Sequence, residues 1–508
     1  MPIDAKHPSY DDFMDDWEKL RDCYIGEKVI KKKGQIYLKP TTSMFLDGMK
    51  TATDIGFMNY ENYKLRAVWH DLFKEAVEAY IGLLNYKPPQ ITAPEKVRAV
   101  RSNQGETIEQ LMRRVHEEQL ITGRLGLLTD MPLNPDPSNP LPYIAMYNAE
   151  AVRNWDTGEG VDNQTRLQFV ILDESGYVRT APDAFDWTEE TRYRVCMLGN
   201  SLVSTGNYHT GLFKVNGSGA PTFDANTMRT PKLRGNMLNE IPFTFVNSKD
   251  MLALPDSAPL LGLANMMLSI YRGEADYRQN LFMQGQDTLV LIGAVQNKDE
   301  TSGDDAPLRT GAGARIEIES GGDAKYVGVE SAGLPEQRTA IANDRQRAEV
   351  RAGQLVNARV GDKESGEALK TRLAGQTATL KQIALTCGAA IEAQLKHAAR
   401  WMGEDDSKIK VEPNEEFTST SATGQDLNQM MDAKDKGAPI SYESLHAWMA
   451  DRGITKKSFK EEFESIVKEH SMVQVMVNPI TLAQRNKELD NQDPKNKPPV
   501  APAKPAQK

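Results

Sequence analysis

Cysteine is nearly missing from this chain: Cys23, Cys196 and Cys387 are the three among 508 residues. They lie far apart and are odd in number, which argues against a disulfide framework and reads as free thiols in a reducing compartment. Long apolar runs are also missing. No stretch approaches the ~18 consecutive apolar residues that cross a bilayer. The opening Met1-Pro-Ile-Asp-Ala-Lys-His-Pro8 has no apolar signal core, so a soluble protein made in a cytoplasm, with no membrane partner, is expected. Positive charge is short: 61 Lys and Arg against 71 Asp and Glu leave a net charge of −10, with a sequence pI near 5.5. A protein that grips nucleic acid by neutralising phosphates is usually basic. Tight DNA binding is therefore not expected as the main activity, whereas an acidic surface suits DNA that must slide past. Aromatic content is 7% and hydrophobic content 39%, low but sufficient for folded cores. The length suits several domains or one elongated subunit.

Constellations that carry chemistry are scarce too. The seven histidines (His7, His70, His116, His209, His397, His446 and His470) show no metal-ligand spacing. His397 sits beside Trp401 on an apolar stripe, where packing is the expected role. Gly311-Ala-Gly-Ala-Arg315 precedes an alternating strand rather than a helix, so it is no phosphate cradle. Gly217-Ser-Gly219 lacks the strand–turn–helix context of a nucleophile elbow. Asp299 to Thr310 lacks the closing carboxylate of a calcium loop. Asp11, Asp12, Asp15 and Asp16 suit the start of a solvated helix better than a metal site. The expectation is no catalytic residue, no metal, no cofactor and no enzymatic activity.

What is there is helix, and the stretch from Leu334 to Met402 organises the rest. Pro335 suits a first helical turn. From there to about Asn357 the chain is crowded with charge: Glu336, Arg338, Asp344, Arg345, Arg347, Glu349 and Arg351. A helix this polar cannot be an ordinary core helix; it is solvated or packs against copies of itself. A breaker follows, Ala358-Arg-Val-Gly-Asp-Lys-Glu-Ser-Gly366, with Ser365 placed as an N-cap. Then Leu369, Leu373, Leu380, Ile383, Cys387, Ile391, Leu395, Ala398 and Met402 recur at three- and four-residue steps. That is an apolar stripe about 36 residues long, or ~54 Å of helix. Such a pattern describes a spine rather than an active site.

In chain order, residues 9–28 read as one helix with Tyr10, Phe13, Trp17, Leu20 and Tyr24 on a face. Lys31, Lys32 and Lys33 read as solvated surface. Residues 59–85 read as a second long helix and 106–123 as a third, closed by Gly123, before a short strand at 125–130. Strands are predicted at 142–147, 167–172, 192–198 and 241–246 from β-rich composition bounded by turn residues. The period returns to helical at 256–286, capped by Asp256 or Ser257. A strand at 288–292 and alternation at 315–319 and 325–330 place a small β module between two long helices. The acidic turn Asn297 to Asp305 lies inside that module. Beyond Met402, one strand near 408–411 and helices at 424–436, 441–452 and 458–470 are expected. The stretch from Asp490 to Lys508, rich in Pro and Lys, cannot bury a core and is read as disordered. The fold class is α+β.

This order of elements resembles the portal (head-to-tail connector) proteins of tailed bacteriophages, from about residue 10 to 470. The residues that carry the resemblance are Trp17-Glu-Lys-Leu-Arg-Asp-Cys-Tyr-Ile-Gly-Glu27, Gly34-Gln-Ile-Tyr-Leu38, Gly123-Arg-Leu-Gly-Leu-Leu-Thr-Asp-Met-Pro132 and Pro142-Tyr-Ile-Ala-Met-Tyr-Asn-Ala-Glu150 with Asn154-Trp155. Leu260 to Gly293 and Glu364-Ser-Gly-Glu-Ala-Leu369 complete the set. The resemblance implies a portal-type subunit: wing at 1–255, stem helix at 256–286, clip at 287–331 and second stem helix at 332–357. A tunnel loop at 358–366, a long tunnel/wing helix at 367–402, a wing return at 403–430, a helical crown at 431–480 and a tail at 481–508 would follow. It further implies a ring, a dodecamer in such proteins, closed by head-to-tail contacts at one capsid vertex, assembled in a host bacterial cytoplasm. The ring would pass double-stranded DNA during packaging, retention and ejection. Its partners would be the terminase large subunit, a head-completion or tail adaptor protein, and the major capsid and scaffolding proteins. Arg359, Val360 and Lys363 would face DNA from the tunnel loop. Arg338, Arg345 and Glu349 would face the lumen or a neighbouring subunit. Asp299, Glu300, Asp304 and Asp305 would dock motor or adaptor at the clip. The alternatives are another minor capsid or connector protein without a channel, and a soluble enzyme whose site carries no legible motif.

Overall fold

The computed structural model describes residues 3–132, 141–159, 165–181, 183–200, 203–215, 221–233, 235–284, 288–294, 318–327, 333–353, 366–415, 417, 424–451, 454–455 and 457–477. The chain divides into two units, 1–417 and 418–508.

The first unit opens with helices. α1 (Pro8–Ile25) starts where the His7 ring accepts a hydrogen bond from the Ser9 N–H and Pro8 takes the first turn. It buries Tyr10, Trp17, Leu20 and Cys23 and stops at Gly26, whose φ of 94° is the left-handed region. The expected single helix over 9–28 therefore breaks there, and α2 (Glu27–Lys33) follows. α3 (Thr42–Leu46), α4 (Ile55–Arg66) and α5 (Leu72–Leu84) come next. The single helix expected over 59–85 is thus two. Ala67 and Trp69 are both buried, at 1% and 6% exposure. An unbroken helix would turn them about 200° apart, so the chain goes extended at Ala67 and seats Trp69 edge-on to Tyr271.

After the short β1 (Gln90–Thr92), α6 (Glu95–Arg98) and β2 (Arg101–Ser102), α7 (Ile108–Ile121) is started by a full capping box between Thr107 and Gln110. β3 (Arg124–Asp130) is buried along its whole length. It lies between β4 (Tyr143–Asn148) and β13 (Phe243–Asn247), with β2 parallel to β4 at the edge. β5 (Val152–Glu159), β6 (Thr165–Asp173), β7 (Gly176–Arg179), β8 (Trp187–Asn200), β9 (Val203–Val215) and β10 (Pro221–Phe223) form the larger antiparallel sheet. Its order is β10-β9-β8-β6-β5, with β7 on β8. Sequence patterning finds the middle of β8 but not β9, whose Ser, Thr, Gly, Asn and His residues mask the alternation. A small ribbon of β11 (Lys232–Leu233) and β12 (Asn236–Met237) precedes β13.

α8 (Leu261–Gln284) begins five residues later than the cap expected at Asp256, whose carboxylate instead accepts from the Lys249 backbone N–H. β14 (Thr288–Ala294) and β15 (Ile318–Val327) pair as an antiparallel hairpin, and α9 (Gly333–Gly353) follows. β15 is one strand where two alternating segments are expected. α10 (Gly366–Met402) runs for 37 residues, about 55 Å, and β16 (Lys410–Glu412) closes the unit by pairing with β1.

α10 confirms the stripe wherever its side chains are described. Leu380, Ile383 and Ala384 enter a core shared with α1, α4, α5 and α8. Cys387, Ala390, Ile391, Leu395, Ala398 and Ala399 enter a second core with α7, β3 and β13. The side chains of Leu369 and Leu373 lie outside the described residues. Polar groups on the buried face are paired. Thr129 Oγ1 donates to Gln394 Oε1 at 2.6 Å, and Gln394 Nε2 donates to Thr244 Oγ1 at 2.8 Å, so one glutamine pins the helix to two adjacent strands. Gln119 Nε2 donates to Thr386 Oγ1 and to the Asn247 carbonyl, both at 2.8 Å, doing the same between α7 and α10.

The second unit contains α11 (Gly424–Asp435), α12 (Tyr442–Asp451) and α13 (Phe459–Val477). α13 runs past the expected end at 470. Among the described residues of this unit, Leu445 and His446 are the buried ones, and Phe459 packs edge-on against the His446 ring at 5.5 Å.

Replacing Gln394 with Leu keeps volume but takes the side-chain partner from both Thr129 and Thr244, leaving Thr129 the backbone carbonyl of residue 394 at 3.2 Å. A loss of about 1–3 kcal/mol is expected, read as a lower urea midpoint at unchanged m-value.

Candidate functional site

The feature with the most functional content is the helix–hairpin–helix arm. α8 runs out, β14 and β15 turn the chain, and α9 runs back along α8. The pairing is antiparallel. Arg351 Nη1 lies 3.8 Å from Met266 Sδ near one end, and Asn280 Nδ2 donates to Gln337 Oε1 at 3.2 Å near the other. Gly273 lets Ile341 approach between them. The seam is narrow: Ile341, Ala348 and Ala352 pack inward, and the Tyr80 hydroxyl donates to the Ala352 carbonyl. Ala348 is the one buried residue among the described residues of α9. The charged helix is thus solvated on all but one edge, as its composition implies.

Arg338, Arg345 and Glu349 are separated by seven and four residues, which sets them on one face of α9 beside the seam. Arg345 Nε donates to Glu349 at 3.1 Å. Arg338 borders a shallow groove of about 460 Å³ with Tyr277, Leu334, Thr339 and Asn343. The other expected positions, Arg359, Val360 and Lys363 and also Asp299, Glu300, Asp304 and Asp305, lie outside the described residues.

Sequence reasoning missed a cleft of about 700 Å³ between β4, the larger sheet and the 102–104 loop. Arg194, one of its lining residues, donates Nη1 to the buried Asp130 (1% exposed) at 3.2 Å, and Arg229 Nη2 donates to the same carboxylate at 2.9 Å. Arg194 Nε also donates to Glu174 at 2.6 Å, and Tyr147 Oη donates to the same carboxylate at 2.6 Å. Burial, then the carboxylates of Asp130 and Glu174, push the Tyr143 and Tyr147 hydroxyls up, Tyr143 to about 12, so both stay protonated. Arg194 is held above its ordinary value by Tyr147, Glu174 and Asp130 against the opposing effect of burial. Every charge here has a partner of opposite sign, so the cluster binds strands together and leaves no free base or nucleophile. No signal in the linear sequence joins Asp130 to residues 64 and 99 positions away.

The remaining candidates disperse. Among the described residues no group of His, Cys, Asp and Glu could hold a metal ion. The three thiols are buried, and burial pushes Cys23 to about 12 and Cys196 to about 11. His397, expected to pack, instead points Nδ1 at Glu240 at 3.5 Å, beside the Arg400–Glu240 pair at 2.6 Å. Hydrogen bonding from His397 holds Glu240 below its ordinary value. Asp11 and Asp16 of the acidic helix start pair with Lys6 and Lys19. His116 is buried on α7 with neither ring nitrogen hydrogen-bonded among the described residues, and desolvation lowers it to about 4.

Residues 259–402 match the model of a family described as a domain of unknown function, DUF4055. The match spans α8, the hairpin, α9 and α10. No curated protein matches the chain. Among solved structures, a chain from the neck of a native GTA particle computed with C12 symmetry is 13% identical, with 74% of this chain and 89% of that chain covered at a TM-score of 0.38. A chain from the virion of a native gene transfer agent particle is 12% identical, covering 80% and 98% at a TM-score of 0.37. Superpositions of this quality leave the architecture to be described on its own terms.

Asp130→Asn is expected to cost roughly 3 kcal/mol, because it leaves Arg194 and Arg229 facing a neutral group in a buried site. Adding Arg194→Met should recover part of that loss in a double-mutant cycle. His116 gives a pH test. Its folded value near 4 lies below the ordinary 6.5, so its contribution is full above pH 6.5 and is lost as pH falls toward 4, by about 3 kcal/mol at 1.36 per unit. The stability difference between wild type and His116→Phe should therefore change by that amount between pH 7 and pH 4.

Proposed function

We propose that this chain is a virion structural protein of a tailed-phage-like particle, and within that class a portal subunit that closes into a ring around a DNA channel. The observation that carries the reading is the arm: a long helix out, a β hairpin, and a highly charged helix back that buries one residue of its own. In a lone subunit such an arm gains little from the water it displaces. In a ring each arm lies between two others, and its flanks meet neighbours through charge pairs and small side chains. The ends of such an interface differ, which is the condition for closure by rotation.

In this reading α8 and α9 are the stem, β14 and β15 belong to the clip, and α10 is the helix behind the tunnel loop. Arg359, Val360 and Lys363 then touch the DNA backbone in passing, and the net charge of −10 keeps DNA from being held tightly. Asp299, Glu300, Asp304 and Asp305 serve the docking of motor or adaptor, and hydrolysis of nucleotide belongs to a partner. Arg338, Arg345 and Glu349 form the flank toward lumen or neighbour.

Electron microscopy with mass determination of the purified chain tests the reading, and rings with a central hole of DNA width are expected. A discrete monomer or dimer at every salt concentration, persisting on co-expression with capsid and scaffolding proteins, would overturn it. Arg345→Glu should change subunit stability by less than about 0.5 kcal/mol, since an exposed i,i+4 pair is worth no more, yet should reduce the ring fraction several-fold.

A further inference from the structure

We infer that the tip of the β7–β8 ribbon is a docking surface for an extended, proline-rich basic segment, and that its occupant is residues 494–508 of this chain's own sequence. Over residues 187–190 β8 pairs with β7 alone, since β9 joins it only at Thr191 and β6 at Tyr193. The ribbon therefore extends past the rest of the larger sheet. Its tip carries three aromatic rings in the open: Tyr177 is 70% exposed, Phe185 93% and Trp187 61%. Trp187 lies across the ladder from Arg179, and Tyr177 from Glu189, so Tyr177 and Trp187 are diagonal neighbours on one face. Phe185 precedes Trp187 by two residues. The turn that carries it is closed twice, by the Thr180 N–H donating to the Asp186 carbonyl at 3.2 Å and by Thr180 Oγ1 donating to the Asp186 carboxylate at 2.8 Å. Three large rings held in water on one closed turn mark an interaction surface, because Tyr and Trp are the residues that anchor interfaces.

The occupant follows from charge and from the chemistry of the rings. Residues 176–190 carry Asp183, Asp186, Glu189 and Glu190 against Arg179. Glu190 is spent on Arg192 and Lys214, while Asp183, Asp186 and Glu189 are exposed beside the rings. Such a surface repels the phosphates of nucleic acid and of an anionic bilayer, and favours a basic partner. Residues 494–508 carry Lys495, Lys497, Lys504 and Lys508 and no acid. They also carry Pro499, Pro502 and Pro505, one proline at every third position. A polyproline II helix has three residues per turn, so these prolines share one edge, about 9 Å apart. The aromatic rings follow one another at steps of about 7 Å along and across the strands. Prolines at this period seat against exposed aromatic rings at low entropic cost, because proline already fixes the extended backbone. Acids beside the rings then meet the lysines. The inference stands apart from the ring and the channel, since it uses neither α8 nor α9.

Fluorescence anisotropy of a labelled peptide of residues 494–508 tests it. The peptide is titrated with the full-length chain carrying Pro499→Ala, Pro502→Ala and Pro505→Ala, so that the chain's own segment does not compete. Saturable binding is expected, at least tenfold weaker when Trp187→Ala or Tyr177→Ala is added and several-fold weaker in high salt. A peptide of the same composition with its prolines moved off the three-residue period should bind at least fivefold more weakly. Tyr177 and Trp187 are exposed, so both variants should keep the far-ultraviolet circular dichroism of the parent. No saturable binding, equal affinity for the two peptides, or an affinity unmoved by Trp187→Ala would each overturn the proposal. So would self-association of the wild-type chain that Trp187→Ala abolishes and the three proline substitutions leave intact, because the rings would then serve a contact between folded parts of two copies.

Discussion

Everything in the first unit depends on α10 presenting one continuous apolar face to two different cores. Its Leu380–Ile383–Ala384 segment faces the helical core and its Cys387 to Ala399 segment faces the core on β3 and β13. Fully buried Leu and Ile side chains contribute about 1.5–3 kcal/mol each, so this helix couples the two cores as a single rigid element would. The small residues matter as much as the large. A Cβ on Gly388 would lie 2.9 Å from Pro413, so its absence lets the chain leading out of β16 pass against the helix. Without that passage the β1–β16 pair could not tie the end of the unit back to its beginning.

Buried polarity in this unit is mostly settled by pairing. Arg21 bridges Glu118 and Glu150 at 2.9 and 2.5 Å, linking α1 to α7 and to the loop before β5. Asp130 holds two arginines, Arg194 and Arg229. Arg124 and His116 are among the exceptions, and Arg124 shows what takes the place of hydrogen bonds. It is fully buried with its guanidinium 4.5 Å from the Trp155 ring and 4.6 Å from the Phe245 ring, and burial pushes it down to about 9. Its Nη1 lies 3.5 Å from Asn247 Oδ1. The cation is held by aromatic faces more than by hydrogen bonds, and the His7–Trp155 stack at 4.1 Å shields it from water on one side.

The arm obeys the opposite rule. Its outer helix gives up burial for charge, and three of its exposed positions, Arg338, Arg345 and Glu349, share one face. The first unit thus has a well-buried body and an arm whose second helix is largely solvated.

What could be read from the sequence alone follows from local period and composition. The α10 stripe, the polarity of α9 and the strands β3, β4, β13 and β14 each depend on residues within one element. Tertiary structure decided what depends on distant residues. The break at Ala67 exists because Trp69 must reach Tyr271, some two hundred positions away. The length of β9 comes from pairing with β8, against its weak alternation. His397 turned out to face Glu240 because β13 and α10 bring them together. The Asp130 cluster joins β3, β4 and β8 with the segments that carry Glu174 and Arg229, which no spacing connects. Periodicity reports which face of an element prefers burial, since each residue carries that preference itself. Which partner covers the face is a property of two segments at once, and only the folded chain brings them together.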